Sequence, residues 1–368
     1  MTLKTRIASG VLAVLIIVIA SLAVALSYQS PCADVENSAA TGKTMKAVMQ
    51  RCYGSGAVLR LEDVARPVPA DDEVLIKVRA AAVNPLDWHG TAGKPYIMRL
   101  SIGIGVPDDA RMGVDFSGVV EAVGQQVTHF KPGDAVFGAS GGAFAQYVKA
   151  SEGQSIVRVP ENMSFEQASA IPIAAITALQ GLRDHGHVQA GQKVLINGAS
   201  GGVGTFAIQI AKFLGAEVTG VCSTRNVDLV RSLGADHVID YTQRNFTEGT
   251  ERYDVVLDNV GNHSLLDVRR VMNPNGTLVI VGGPKSEPFL GPLWRMLGAL
   301  VIGPFVEQNL VSFIADMNQP DLEFLASLAR TGKLKPVIDK RYSLSEVPQA
   351  IDHQGTGHAR GKIIVRIE

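Results

Sequence analysis

Cysteine is scarce in this chain. Cys32, Cys52 and Cys222 are the only three, and they lie far apart. They offer no metal-ligand spacing and no evident disulfide framework. Basic runs are also missing. The 34 Lys and Arg are balanced by 35 Asp and Glu, for a formal net charge of −1. That removes the electrostatic footprint expected of a nucleic-acid-binding protein. No internal repeat or low-complexity segment stands out, which excludes a repeat architecture.

The chain has 368 residues, a length that points to two domains, and an apolar fraction of 46% that suffices for a large core. Part of that fraction sits at the N-terminus. Lys4 and Arg6 precede an uncharged run from Ile7 to Ala33, with its apolar heart at Val11 to Leu26. The run reads as an uncleaved transmembrane helix, with the lipid bilayer as partner of residues 7–33. A cleaved secretory signal is the competing reading. Residues Asp34 to Lys43 read as a polar linker, and Met45 is an alternative start. The charges at Lys4 and Arg6 favour a cytoplasmic N-terminus, which would put the rest outside.

The most informative stretch is Val194-Leu195-Ile196-Asn197-Gly198-Ala199-Ser200-Gly201-Gly202-Val203-Gly204. An apolar strand runs into a glycine-rich turn, and the turn opens an amphipathic helix over Thr205 to Leu214. Gly201 lets the backbone approach a pyrophosphate, and Gly204 lets the helix pack closely on the strand. The free N–H groups of the helix start suit phosphate. A second strand, Glu217 to Cys222, completes the context that gives this pattern its specificity. Ala199, Ser200, Gly201, Gly202, Val203 and Gly204 are therefore assigned to a dinucleotide.

What is missing at the end of the second strand selects the dinucleotide. A cofactor without a 2′-phosphate asks for Asp or Glu there. This chain has Ser223-Thr224-Arg225-Asn226. Ser223 and Thr224 donate hydrogen bonds, and Arg225 can pair a phosphate with two parallel bonds. The expectation is NADPH (NADP). The enzyme part would then need the cytoplasmic side of the membrane, where NADPH is plentiful, against the orientation that Lys4 and Arg6 suggest.

From Met45 to about Pro160 the pattern is short strands and turns, read as a β-rich, barrel-like domain. Val74-Leu75-Ile76-Lys77-Val78 and Gly118 to Gly124 are strands, and Lys131-Pro132-Gly133-Asp134 is a turn. From Ser164 strands alternate with helices. Strands at Lys193 to Asn197, Glu217 to Cys222, His237 to Asp240, Tyr253 to Asp258 and Thr277 to Val281 predict a doubly wound parallel sheet. The last segment, Lys335 to Glu368, returns to strand patterning and is expected to rejoin the first domain. The boundaries are residues 1–44 for anchor and linker, 45–165 and 166–320 for the two domains, and 321–368 for the return.

These blocks resemble the medium-chain dehydrogenase/reductase superfamily, in its zinc-independent quinone oxidoreductase-like branch. The resemblance is carried by Ala81-Ala82-Val83-Asn84-Pro85-Leu86-Asp87-Trp88, by Gly113-Val114-Asp115-Phe116-Ser117-Gly118-Val119-Val120, by Phe130 to Asp134, and by Gly142 to Tyr147. It continues through Ala175 to Leu179, the glycine turn, Gly234 to Tyr241 and Gly357-His358-Ala359-Arg360-Gly361-Lys362. It covers nearly all of the chain from Met45. It implies an α/β protein with a GroES-like β-barrel domain and a Rossmann domain, and an active site in the cleft between them. It also implies that Thr177 lies near the nicotinamide, that Tyr241 and Lys362 contact the phosphate side, and that Gly282 and Gly283 run beside the nicotinamide.

Zinc-dependent relatives place Cys where this chain has Asn84, and a His-Glu pair where it has Asp115-Phe116. Cys is absent between Cys52 and Cys222, and His89 and His129 stand at no ligand position. The expectation is no metal. Hydride then goes most readily to an activated acceptor, a quinone or an α,β-unsaturated carbonyl, whose developing oxyanion needs a hydrogen-bond donor. Asn84 and Asp87 are the candidate catalytic residues, Asn84 as donor or ribose contact and Asp87 as proton relay. Asn84 serves equally as a turn residue before Pro85, and Asp87 as a cap. Trp88 and Tyr96 are read as substrate-pocket walls, with core packing as the other role. Pro288 to Val306 is unusually apolar and is read as a buried helix, with a subunit contact, a cover over the substrate cleft or a face against the bilayer as the other readings. A homodimer is an assembly the sequence allows. Two alternatives stand beside the reductase: an alcohol dehydrogenase or aldehyde reductase using NAD(P), and a membrane-tethered NADPH-binding protein with little turnover.

Overall fold

A computed structural model describes residues 3–32, 42–284 and 287–368. Two sheets dominate it. Valine-rich alternating segments of the first half and two strands of the C-terminal segment, Ile338–Ser343 and Lys362–Arg366, form a seven-stranded sheet. Its centre is the long strand Glu73–Val83, which pairs antiparallel with Asp115–Val123 and Lys362–Arg366. Val74, Ile76, Phe116, Phe144 and Ile363 fill the barrel core. Thr44–Gln50 and Leu59–Ala65 form a separate antiparallel pair.

The register of the central strands positions the site. Val83 is opposite Ile363, and Ala82 is opposite Asp115. Asn84, Asp115 and Lys362 therefore reach one end of the sheet together. Lys362 can be there because the C-terminal segment returns to this sheet as an inner strand.

The second sheet has six parallel strands. Lys193–Asn197, Glu217–Cys222, His237–Asp240 and Tyr253–Asp258 coincide with the strands expected from the sequence. The fifth is longer, Met272–Ile280, and a sixth, Asn309–Ser312, carries no strong sequence signal. Numbered in chain order, the strands lie three-two-one-four-five-six, the order of a dinucleotide-binding sheet. Val194 and Ile196 face one core cluster and Leu195 the other, so both faces are covered, as a parallel sheet requires.

Three expectations are corrected. Among the described residues, no helix is long and apolar enough to cross a membrane. This overturns the transmembrane anchor at residues 7–33, and with it the bilayer as partner, the membrane localisation and the cytoplasmic orientation inferred from it. A helix runs over Leu3–Ser27, but the apolar heart from Val11 to Leu26 is only about 16 residues, roughly 24 Å at ~1.5 Å per residue, against a hydrocarbon core of ~30 Å. The end of the run is also packed on protein. Leu26 is buried, and Arg99 Nη1 donates to the carbonyls of Leu26 (3.0 Å) and Tyr28 (2.6 Å). Residues 33–41, most of the predicted linker, lie outside the described residues.

The second correction concerns cysteine. Cys32 and Cys52 form a disulfide. Their separation in sequence hid a pairing that depends on the N-terminal segment packing against residues 99–105, where Gln29 pairs with Gly105. The third concerns Pro288 to Val306. The helix Pro292–Ile302 keeps Trp294, Leu297, Leu300 and Val301 exposed and buries Arg295 and Ala299. An apolar composition predicts burial, yet the buried face centres on a charge.

Candidate active site and cofactor cleft

The glycine turn lies where the sequence predicts it. The first strand ends at Asn197, and the helix Gly202–Phe213 follows. A Cβ at Gly204 would collide with the Gly198 carbonyl, so helix and strand pack at a distance only glycine allows. No side chain caps the helix. Beside it, Asn226 is buried, donates through Nδ2 to Ser200 Oγ (3.0 Å) and Ser223 Oγ (3.2 Å), and keeps Oδ1 without a partner. An uncapped helix start, an open glycine turn and a buried orphan acceptor are what a dinucleotide's phosphates and ribose would complete.

The residues at the end of the second strand divide. Thr224 is held by Asp240 (2.6 Å) and Thr242 (2.8 Å). Arg225 is exposed and donates to the His358 carbonyl at 2.9 Å, across from the C-terminal segment. Tyr241 is half exposed, next to that strand end, and its N–H donates to the Cys222 carbonyl. Gly282 and Gly283 leave the fifth strand with Gly282 N–H on the Asp258 carbonyl (3.1 Å). Thr177 Oγ1 donates to Ile173 O at 2.7 Å within its own helix.

The C-terminal segment joins the two domains. Gly361 N–H donates to Ser200 O at 2.9 Å, and the Lys362 stem lies against Gly202. The Lys362 ammonium continues past the turn into a closed cluster. Nζ is 2.5 Å from Asn84 Oδ1 and 3.4 Å from Asp115 Oδ2. Asn84 Nδ2 donates to Asp115 Oδ2 at 3.0 Å, Ile173 N–H to Asp115 Oδ1 at 3.2 Å, and Asn84 N–H to Asp87 Oδ2 at 2.7 Å. All four side chains are buried, with at most 3% exposure.

Burial drives each charge in this cluster toward its neutral form. It pushes the Asp87 carboxyl up to about 7; the Asn84 amide pulls the other way, and the Asp115 charge adds to the rise. Burial also raises Asp115, against the pull of the Lys362 ammonium and the amides of Asn84 and Ile173. Burial lowers Lys362, while Asp115 and Asp87 oppose that. Two carboxyl groups face one ammonium, and the raised Asp87 carboxyl is the group poised to exchange a proton near neutral pH.

Asn84 and Asp87 thus stand together, and Asn84 already uses its carboxamide on Lys362, Asp115 and the Ala82 carbonyl. Trp88 packs on the barrel core and against Gly355, the core role the sequence also allowed. Tyr96 lies at the domain junction. Its N–H donates to Pro288 O at 2.7 Å, and its ring meets Phe289 edge-on at 5.2 Å. Asp115 belongs to one of the sequence blocks that carry the resemblance, and the return of Lys362 gives it a counter-charge. Among the described residues, no group of three or more His, Cys, Asp or Glu could hold a metal ion.

A dinucleotide sheet with its glycine turn facing a GroES-like barrel defines a nicotinamide-dependent oxidoreductase. Known proteins agree. Residues 70–161 match the alcohol dehydrogenase GroES-like domain, and residues 233–365 match the zinc-binding dehydrogenase family. The 2-methylene-furan-3-one reductase of Solanum lycopersicum is 34% identical over 359 residues, covering 94% of this chain and 84% of that protein. The chloroplastic quinone-oxidoreductase QR1 of Triphysaria versicolor is 37% identical, covering 88% of this chain and 99% of that one. The quinone oxidoreductase structure from Coxiella burnetii superposes with a TM-score of 0.77 at 30% identity, over 89% of this chain and 100% of that one. The chain belongs to the medium-chain dehydrogenase/reductase superfamily, among its quinone oxidoreductase-like members.

Proposed function

We propose that this protein reduces quinones or α,β-unsaturated carbonyl compounds with NADPH. The observation that carries the reading is the buried Asn84–Asp87–Asp115–Lys362 cluster beside the glycine turn, in which burial pushes the Asp87 carboxyl up to about 7. The names of the relatives above, a quinone oxidoreductase and a furanone reductase, support the substrate class. When bound, the cofactor supplies a hydride. An enone takes that hydride at its β-carbon and needs a proton at the α-carbon or oxygen. A quinone takes hydride and proton to become a hydroquinone. Asp87 keeps the proton in store, Asn84 and Asp115 hold the Lys362 ammonium in place, and Lys362 ties the cluster to the glycine turn. The test is oxidation of NADPH by the full chain with a panel of quinones, enones, aldehydes and alcohols. Turnover is expected with the first two classes. Turnover confined to aldehydes and alcohols would overturn the assignment.

The preference for NADPH over NADH rests on Arg225 and Ser223, since Thr224 is committed to Asp240. Arg225→Asp removes the cationic partner of a 2′-phosphate and adds an acceptor for ribose hydroxyls. It is expected to weaken NADPH binding about tenfold or more, roughly 1.4 kcal/mol, and to spare or improve NADH. Titration of both cofactors against both proteins checks this. Equal losses for the two would show that Arg225 does not read the phosphate.

A further inference from the structure

The buried charge on the otherwise outward-facing helix Pro292–Ile302 has a specific target. Arg295 is 7% exposed, and its Nη2 lies 2.7 Å from Asp258 Oδ2, on a carboxylate with no exposure at all. Nη1 donates to the His263 carbonyl at 2.9 Å, and Nε has no partner.

Asp258 is the last residue of the fourth strand, and three segments converge on it. Its Oδ1 accepts from Asn197 Nδ2 (2.8 Å), from Gly261 N–H (2.9 Å) and from Val260 N–H (3.2 Å). Its carbonyl accepts from Val281 and Gly282. Asn197 leads straight into the glycine turn. Asn259 Nδ2 returns to the Asn197 carbonyl at 3.0 Å. Gly261 adopts φ +71°, and a Cβ there would meet Gly283 and crowd Arg295 Nη1. The start of the glycine turn and residues 260–261 are thus held by the Asp258 carboxylate, His263 by Arg295, and residues 281–282 by the Asp258 backbone carbonyl. All three lie at the carboxyl edge of the sheet, where this strand order binds its ligand.

A buried ion pair is weak evidence of stability, because apolar residues of similar size often serve as well. Here the helix that supplies the arginine buries little else, and the unpartnered Nε is a cost that an apolar anchor would avoid. What the guanidinium does that an apolar residue cannot is orient a carboxylate that in turn holds Asn197, at the start of the glycine turn, and the loop at residues 260–261.

We propose that Arg295 is a positioning residue for the nicotinamide dinucleotide: by holding Asp258 it sets the strand-end backbone on which the cofactor is seated. The proposal rests on the cofactor reading above. Arg295 acts through Asp258 and touches no reacting atom.

The test is direct titration of the full chain with NADPH and with NADH, followed by nicotinamide fluorescence. The proteins are wild type, Arg295→Met, Arg295→Lys and the double variant Asp258→Asn/Arg295→Met. The double variant leaves no lone buried charge and keeps the proposal testable if Arg295→Met fails to fold. Arg295→Met and the double variant are expected to bind the preferred dinucleotide about tenfold more weakly, with the KM for the quinone little changed. Arg295→Lys is expected to recover most of the affinity, and the double variant to melt close to wild type while still binding weakly. A purely structural role would move the melting temperature and leave the affinity of the folded protein alone. Wild-type affinity in the double variant overturns the proposal. Failure of the wild type to bind either dinucleotide overturns the cofactor reading itself, and this proposal with it.

Discussion

Lys362→Met is expected to cost the protein about 3–5 kcal/mol of stability, the usual penalty for breaking a buried ion pair from one side. Asp115 and Asp87 would be left buried with no cation, and Asn84 Oδ1 would lose its 2.5 Å partner. Activity of the protein that remains folded is expected to fall about 100-fold, the range of a lost proton-transfer arrangement. Urea unfolding measures the first effect, and NADPH oxidation normalised to folded protein the second. The double variant Lys362→Met/Asp115→Asn separates them. Neutralising Asp115 should return most of the stability and little of the rate. A double variant with near wild-type turnover would reduce Lys362 to a structural ion-pair partner.

Asp87 is expected to give the reaction its pH dependence. Burial, reinforced by Asp115, pushes its carboxyl up to about 7. If the stored proton is used in reduction, the rate falls as pH rises through about 7. Asp87→Asn should remove that limb and lower the rate at pH 6 by about 10- to 100-fold. An unchanged limb in the variant would place the titrating group elsewhere. Stability follows the same group with a definite sign. The native carboxyl holds its proton between about 3.9, the ordinary unfolded value, and about 7. The native state binds more protons than the unfolded state in that window. The contribution is full below the unfolded pKa and is lost as pH climbs through about 7. Urea midpoints measured from pH 4 to pH 8 should therefore fall more steeply in the wild type than in Asp87→Asn.

Much of the site's frame follows from local patterns. The apolar run Val194 to Ile196, the glycines that follow and the helix after them define the strand, glycine turn and helix, because each depends on residues within a few positions. Four of the six strands of that sheet fall at the positions read from alternation and length. Asn84-Pro85-Leu86-Asp87 is equally local: the proline starts the helix Pro85–Ala92, and Asp87 turns back to the Asn84 amide.

What joins distant parts of the chain was decided only in the tertiary structure. Lys362 finds Asn84 and Asp115 because a C-terminal strand enters the barrel sheet in one register. Cys32 finds Cys52 because the N-terminal segment packs against residues 99–105. Arg295 finds Asp258 because an apolar-looking helix turns its one charge inward. The membrane reading is corrected by length: among the described residues no helix is long and apolar enough to cross, and the end of the run, at Leu26, packs on protein. Sequence periodicity determined the elements and the glycine turn, whose hydrogen bonds and side-chain alternation are local. The partners of the buried charges were left to the fold, because a charge is stable inside a protein only where tertiary packing delivers its counter-charge and hydrogen bonds.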